Sequence, residues 1–575
     1  MKKKLLSIVL TLAMGAALLA GCGGSGSSQS AAPAAEPAAE APAEGGEAAA
    51  PAEEAGDSSV TKTSYGEYTA ENPYDLTFAY IEFYQQDAAQ RTKVQDAINE
   101  YMIPNYHIRV TLLPLEAASY TQTEQLMISG GDKLDVLPVF YSNASNLISM
   151  NGIVDMMPYM DTPEGQKIID ALGEANAYVG QMGGILFAFP ANKESVELGG
   201  LAMRADICDE LGITEKYGLD RDDEYHGKVW DWSVATDIFA TVKEAYPDMI
   251  PLYLSGSSSP MRRFAFFDEL ADQFGVLDWE SDHDSTKVVN EFETEAYKEA
   301  VTRLAEWYDA GYIYKDAATD TQGDATMIKA GNTFAYATAI KPGFLAEHEA
   351  ARNTKLYAMY FEDQVEGGIS TTNVSFFDTG IASNSDDPDM AFKFISAFYS
   401  DPVLYNLWLY GIEGEDYVVL EDGTAYYPEG VDDSNYKYHQ NIGWELGNQF
   451  QSYVWNDGSK DADYWNKLQH HNDWAYYSPA HGFMWDSSQY QTQLTALKNA
   501  LDTYRPALET GSVGVANVEK TLQQLNDALY AAGLQEVMDA KQAQLDEWLA
   551  ANGATATPQV NLDTIAGGVG VQTGE

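Results

Sequence analysis

Cysteine is nearly absent from this 575-residue chain, which has only Cys22 and Cys208. Two such distant thiols, one of them in a leader segment, offer no internal disulfide framework, so the fold must stand on its hydrophobic core. Cationic side chains are also scarce: 33 Lys and Arg face 87 Asp and Glu, a formal charge of −54. That field repels nucleic acid and anionic lipid headgroups, so neither is expected as a ligand, and solubility is the ordinary consequence of such acidity. The motifs of covalent and nucleotide chemistry are missing as well. No Gly-x-Ser-x-Gly elbow, P-loop or Cys-x-x-Cys occurs, and Gly568-Val569-Gly570 lacks the third glycine of a dinucleotide loop. No cofactor and no catalytic residue are expected.

Metal ligands in a usable pattern are wanting too. Asp278, Glu280, Asp282 and Asp284 alternate like a calcium loop, but His283 stands where the turn glycine belongs and Val289 where the bidentate glutamate belongs. His470 and His471 are adjacent and cannot face one ion from a helix; with His481 they read as surface or packing groups.

The N-terminus carries an export signal: Lys2, Lys3 and Lys4, an apolar run from Leu5 to Ala20, then Leu19-Ala20-Gly21-Cys22. The run is shorter than the roughly 20 residues that span a bilayer core. Small residues before Cys22 fit a signal peptidase cleft, and the Cys22 thiol is the expected lipidation site. Residues 1–21 are thus read as signal peptide and 22–65 as a lipidated, disordered stalk. Segments such as Ala31-Ala32-Pro33-Ala34-Ala35-Glu36-Pro37 have too little apolar surface to fold.

A globular head begins near Tyr74. Leu76, Phe78 and Tyr80 alternate as in a strand, Val94, Ile98 and Tyr101 mark a helix face ending at Pro104, and Val110–Leu113 reads as a second strand. A helical run to Gly130-Gly131 and a strand from Leu134 to Phe140 complete a strand–helix alternation that predicts an α/β fold with a parallel sheet. Further helices are expected around Tyr297–Tyr308, after Asp387-Pro388, and through the end of the chain, where Leu522, Leu525 and Leu529 and then Val537, Leu545 and Leu549 form apolar faces. From Gly553 the tail is small and polar.

Aromatic side chains are abundant, at 12%, and five of the 11 tryptophans lie between Trp444 and Trp485. Trp444, Trp455, Trp465, Trp474 and Trp485 are interleaved with Gln440-Asn441, Asn448-Gln449 and His471-Asn472-Asp473. Many must pack in the core. Rings beside amides and carboxylates also suit a sugar, whose C–H faces stack on aromatics while its hydroxyls take hydrogen bonds.

The head resembles the family 1 extracellular solute-binding lipoproteins, the capture components of carbohydrate ABC importers, in particular a large Gram-positive subgroup with a helical C-terminal extension. The resemblance is carried in order by Ile128-Ser129-Gly130-Gly131-Asp132-Lys133-Leu134-Asp135-Val136, Gly184–Pro190, Leu201–Asp206, Tyr410-Gly411-Ile412-Glu413-Gly414-Glu415-Asp416-Tyr417, Gly482–Asp486 and Gln544–Trp548. It implies a periplasmic-binding-protein-like fold: lobe one at 66–190 plus 365–403, lobe two at 195–362 plus 404–552 with the C-terminal helices, and a disordered tail at 553–575.

By the same resemblance the ligand lies in the interlobe cleft, with Tyr84, Asp87, Tyr141, Asn143, Glu194, Tyr253, Tyr336, Lys341, Phe483 and Trp485 as binding residues. Tyr84, Tyr141, Tyr336 and Trp485 are the expected stacking rings. The expected partners are a carbohydrate, with a hint of an oligosaccharide, the transmembrane subunits of an ABC permease, and the membrane through the lipid on Cys22. The chain is expected to be a monomer at the outer face of the cell membrane. A peptide or other solute, or a surface polysaccharide-degrading enzyme, is the competing reading.

Overall fold

The computed structural model describes residues 64–196, 198–221, 229–279, 281–361, 368–456, 460–473, 475–555 and 571–572. The leader, Cys22, nearly all of the stalk, Glu280, Trp474 and most of the tail lie outside the described residues.

Two sheets organise the head. The first has five strands in the order Ile108–Glu116, Tyr74–Glu82, Val136–Phe140, Phe377–Ile381 and Ala188–Pro190. Its first three strands run parallel, as the strand–helix alternation predicts. Phe377–Ile381 runs antiparallel to both neighbours, because the chain enters it on its return from the second lobe. Alternation along Tyr74–Glu82 places Phe78 and Tyr80 in one apolar cluster and Ala79 in another, so this strand is buried on both faces.

Helix Ala88–Tyr106 covers the first of those faces. The Asp87 carboxylate caps it by accepting from the Gln90 N–H, and Gln90, Val94, Ile98 and Met102 repeat every four residues along its buried side. It runs two residues past Pro104, where the sequence reading ended it. The proline withholds one backbone donor, and the last turn still closes through the His107 N–H on the Ile103 carbonyl at 3.1 Å.

The second sheet has the order Val571–Gln572, Val229–Trp230, Leu356–Phe361, Leu198–Arg204, Thr333–Ile340, Ile250–Tyr253. Its edge strand Val571–Gln572 comes from the tail that the sequence reading left unpaired. Helices Gln491–Glu509, Val518–Ala531 and Leu534–Asn552 pack on this lobe, with Leu497, Leu525, Leu529, Val537 and Leu545 in its main core.

The assignment of everything after 403 to lobe two needs correction. Helix Pro402–Tyr410 buries Leu404, Tyr405, Trp408 and Leu409 in the lobe-one core, and Tyr417, Tyr438, Ile442 and Leu446 follow it there. Periodicity shows that a helix is apolar but not which sheet it covers. The folded head also begins earlier than residue 66. The Ser64 hydroxyl donates to Asp387 at 2.8 Å, and Tyr65 packs against the lobe-one core.

Candidate functional site

Between the lobes lies a cleft of 910 Å³. Lobe one lines it with Tyr84, which follows strand Tyr74–Glu82, and with Phe377, Tyr410, Tyr427, Tyr436 and Trp444. Lobe two contributes Lys341, at the end of strand Thr333–Ile340, and Glu347. The chain crossings close the base with Lys193, Glu194 and Ser195, with Thr372 and Asn373, and with Gln449 and Ser452. Helix Tyr464–Asp473 adds Tyr464, Trp465 and Leu468.

The helix reaches this place because a glycine permits it. Gly343 has φ +78°, and a Cβ there would stand 2.6 Å from the Tyr464 ring. The ring therefore occupies the space that any side chain at 343 would need.

Two aromatic groups form the lobe-one wall. In the first, Trp444 lies 5.1 Å from Phe377 and 5.4 Å from Phe83 between ring centroids. Nearby, Tyr84 and Phe376 remain 44% and 50% exposed, which leaves ring surface uncovered at the cleft. In the second, Trp455 packs 4.0 Å from His439, 4.7 Å from Tyr427 and 5.1 Å from Tyr410. The Tyr427 hydroxyl donates to Asp433 at 3.1 Å and meets His439 Nδ1 at 2.9 Å. A phenol has one proton, and a carboxylate only accepts, so the imidazole carries its proton on Nδ1. Burial, with help from Lys460, lowers the His439 pKa to about 3 and keeps the ring neutral.

Polar groups are concentrated at the base. The Glu194 carboxylate accepts from Lys341 Nζ at 2.6 Å and from Gln449 Nε2 at 2.8 Å, so it joins the first crossing to lobe two and to the third crossing. Burial alone would raise its pKa, but the charges of Lys341 and Lys193 and the two hydrogen bonds prevail and bring it down to about 2. Behind the wall, the buried Glu445 accepts from the Ile81 N–H at 3.0 Å, fixing the strand end that leads to Tyr84. Burial pushes the carboxyls of Glu445 and Glu124 well above the usual range, and for Glu124 the nearby Glu445 adds to the rise.

Of the ten residues expected to bind ligand, Tyr84, Glu194 and Lys341 line the cleft. The other seven are placed elsewhere. Asp87 caps its helix, and Tyr253 donates to the Gln322 carbonyl. Tyr336 is buried with its hydroxyl 2.8 Å from His348 Nδ1 and the Arg352 guanidinium over its ring. Asn143 is buried and accepts from Gln125. Tyr141 accepts from the Trp485 N–H, and Phe483 and Trp485 sit in the lobe-two core.

Cleft-lining residues outside the ten named by the resemblance include Tyr410, Tyr427, His439, Gln449 and Trp455. The sequence did carry a signal for some of them: Trp444, Trp455 and Trp465 of the tryptophan-rich stretch all line the cleft. In the acidic loop Asp278 accepts from the Ser281 hydroxyl at 2.7 Å and Asp282 from the Asp284 N–H at 3.1 Å, while Glu280 lies outside the described residues. Among the described residues no three His, Cys, Asp or Glu side chains gather as a metal site.

Comparison with known proteins gives a consistent set of likenesses. The family model described as bacterial extracellular solute-binding protein matches residues 96–411, and one described as a domain of unknown function matches residues 479–550. A carbohydrate ABC transporter substrate-binding protein of Streptococcus pneumoniae serotype 4 is 24% identical over 437 residues, covering 75% of this chain and 82% of that protein. The crystal structure of the N-glycan transport solute-binding protein from Streptococcus pneumoniae has a TM-score of 0.68 at 20% identity, covering 83% of this chain and 99% of that chain. Its complex with Man5GlcNAc has a TM-score of 0.58 at the same 20% identity and the same coverage of 83% and 99%. These likenesses show a periplasmic-binding-protein-like fold with extra C-terminal helices.

Proposed function

Because the chain belongs to the bacterial extracellular solute-binding proteins, we propose that it captures an oligosaccharide in the interlobe cleft and delivers it to the permease of an ABC importer. The observation that carries this reading is the cleft wall: uncovered rings of Tyr84 and Phe376, backed by Trp444, stand beside the amide of Gln449 and the charged pair Glu194–Lys341. Apolar sugar faces suit the former and hydroxyls the latter. At 910 Å³ the cleft reaches the upper end of the roughly 300–1,000 Å³ of small-molecule pockets, which favours several sugar units over one. The carbohydrate assignment of the Streptococcus pneumoniae relative and the Man5GlcNAc bound by the structural neighbour support the ligand class.

The mechanism is capture without turnover. Ligand bridges the two walls, so it favours the closed arrangement, and closure removes water from around the polar base. Cys22 carries the lipid that keeps this trap at the outer face of the membrane, beside its permease, with the Ala- and Pro-rich stretch as tether.

Calorimetry with a panel of mannose- and N-acetylglucosamine-containing oligosaccharides and control peptides tests the reading. Saturable sugar binding with the glycan recovered intact is expected. Binding of peptides alone would sink the carbohydrate assignment, and steady accumulation of shortened glycans would sink capture. Radiolabelled palmitate incorporated by the natural chain and absent from Cys22→Ala is the expected mark of the anchor.

A further inference from the structure

The segment that opens the C-terminal region divides three consecutive residues between the two lobes. Met484 is buried in a lobe-one cluster with Tyr141, Ala144 and Leu147. Its neighbours Phe483 and Trp485 are buried in the lobe-two core with Leu497, Leu501 and Leu545. The stretch follows a turn closed by the Phe483 N–H on the Ala480 carbonyl at 2.8 Å and belongs to no helix or strand, and its successive side chains enter the two cores.

Hydrogen bonds hold the stretch on both flanks. The Trp485 N–H donates to the Tyr141 hydroxyl of lobe one at 3.0 Å. The Asp486 N–H donates to Gln544 Oε1, and Gln544 Nε2 donates to the Asp486 carbonyl, both at 3.0 Å, which ties the stretch to helix Leu534–Asn552. The Gly482 N–H donates to the hydroxyl of Thr371, in the second crossing, at 2.8 Å. None of these residues lines the cleft.

Neighbouring Cα atoms are about 3.8 Å apart. The two cores therefore cannot part at this point unless Met484 leaves one of them. We propose that residues 480–486, at the start of the stretch matched by the family of unknown function, are the pivot on which the lobes turn, and that Tyr141 and Met484 position the cleft walls without touching ligand. The proposal rests on the two-lobe capture reading. It gives the C-terminal helices a role: they are the fixed base of the pivot, and the cleft closes at the opposite flank.

Spin-label pairs on the full chain test it. All four sites are exposed: Ser149 and Gln489 flank the pivot, Asn435 precedes the cleft-lining Tyr436 of lobe one, and Ala351 shares its helix with the cleft-lining Glu347 of lobe two. On addition of Man5GlcNAc the Asn435–Ala351 distance should shorten while the Ser149–Gln489 distance holds. Without sugar, Met484→Ala should broaden both distance distributions, and the milder Tyr141→Phe should broaden the pivot pair while leaving the fold intact. A Ser149–Gln489 distance that moves as far as the cleft pair overturns the proposal, as do unchanged widths in both variants. If the unsubstituted chain fails to bind any glycan, the capture reading fails, and the sugar-free widths still decide the pivot.

Discussion

Lys341, at the end of a lobe-two strand, places its ammonium 2.6 Å from the carboxylate of Glu194, in the segment that leaves lobe one. Glu194 is 14% exposed at its side chain, so the pair is poorly screened and the carboxylate stays ionised to about pH 2. A pKa depressed below the usual 4.5 means the pair's stabilisation is fully present above about pH 4.5 and is lost as pH falls through about 2. Glu194→Gln should lower thermal stability at pH 7 by about 1–3 kcal/mol, with the variant and the natural chain converging toward pH 2. Equal separation of the two melting curves at pH 7 and pH 2.5 would contradict this.

Trp444 and Trp485 stand 41 positions apart in one aromatic-rich stretch, yet they predict opposite phenotypes. Trp444 lines the cleft and is half-buried on the lobe-one core, so Trp444→Ala should weaken oligosaccharide binding by about 1–3 kcal/mol and cost less stability than Trp485→Ala. Trp485 is 2% exposed in the lobe-two core, so Trp485→Ala should cost roughly 3–5 kcal/mol of stability. Paired calorimetry and thermal melts separate the two; a folded, stable Trp485→Ala chain with lost affinity would return that ring to the site.

Gly343→Ala should be costly for two independent reasons. Its φ of +78° disfavours a Cβ, and that Cβ would lie 2.6 Å from the Tyr464 ring. A loss of about 1 kcal/mol or more is expected, together with weaker sugar binding, because Tyr464 and Trp465 travel together on the displaced helix. Unchanged stability and affinity would mean that the helix is free to stand off from lobe two.

The parts of this architecture legible in the sequence are those governed by local pattern. The apolar alternation of Leu76, Phe78 and Tyr80 marks a strand, and the Gly130-Gly131 stop closes the helix Tyr120–Gly130, because each depends only on near neighbours. Long-range allocation is different. Helix Pro402–Tyr410 is apolar on nearly every side, so its sequence does not distinguish one lobe's sheet from the other's. The same limit explains the site. The family resemblance named Tyr84, Glu194 and Lys341, which line the cleft, whereas Trp444 and Trp455 lie outside the named helices and strands, in chain whose path no periodicity encodes.

Glu509 provides a pH test far from the cleft. It is 1% exposed on helix Gln491–Glu509 and accepts from the Tyr297 hydroxyl at 3.1 Å. Burial dominates its environment and pushes its pKa up to about 7, with Ser259, Arg505 and Tyr297 opposing the shift and Glu269 adding to it. Because the folded pKa lies above the usual 4.5, folding carries no penalty where both states are protonated; the penalty grows from about pH 4.5 upward and is complete above about pH 7. Glutamine keeps the oxygen that Tyr297 donates to and removes the charge. Glu509→Gln should therefore stabilise the chain at pH 8, on the order of 3 kcal/mol, and change little at pH 4.5, as read from thermal melts across that range. A variant equally destabilised at both pH values would show that the carboxyl is needed for packing and that its charge is already neutralised in the folded state.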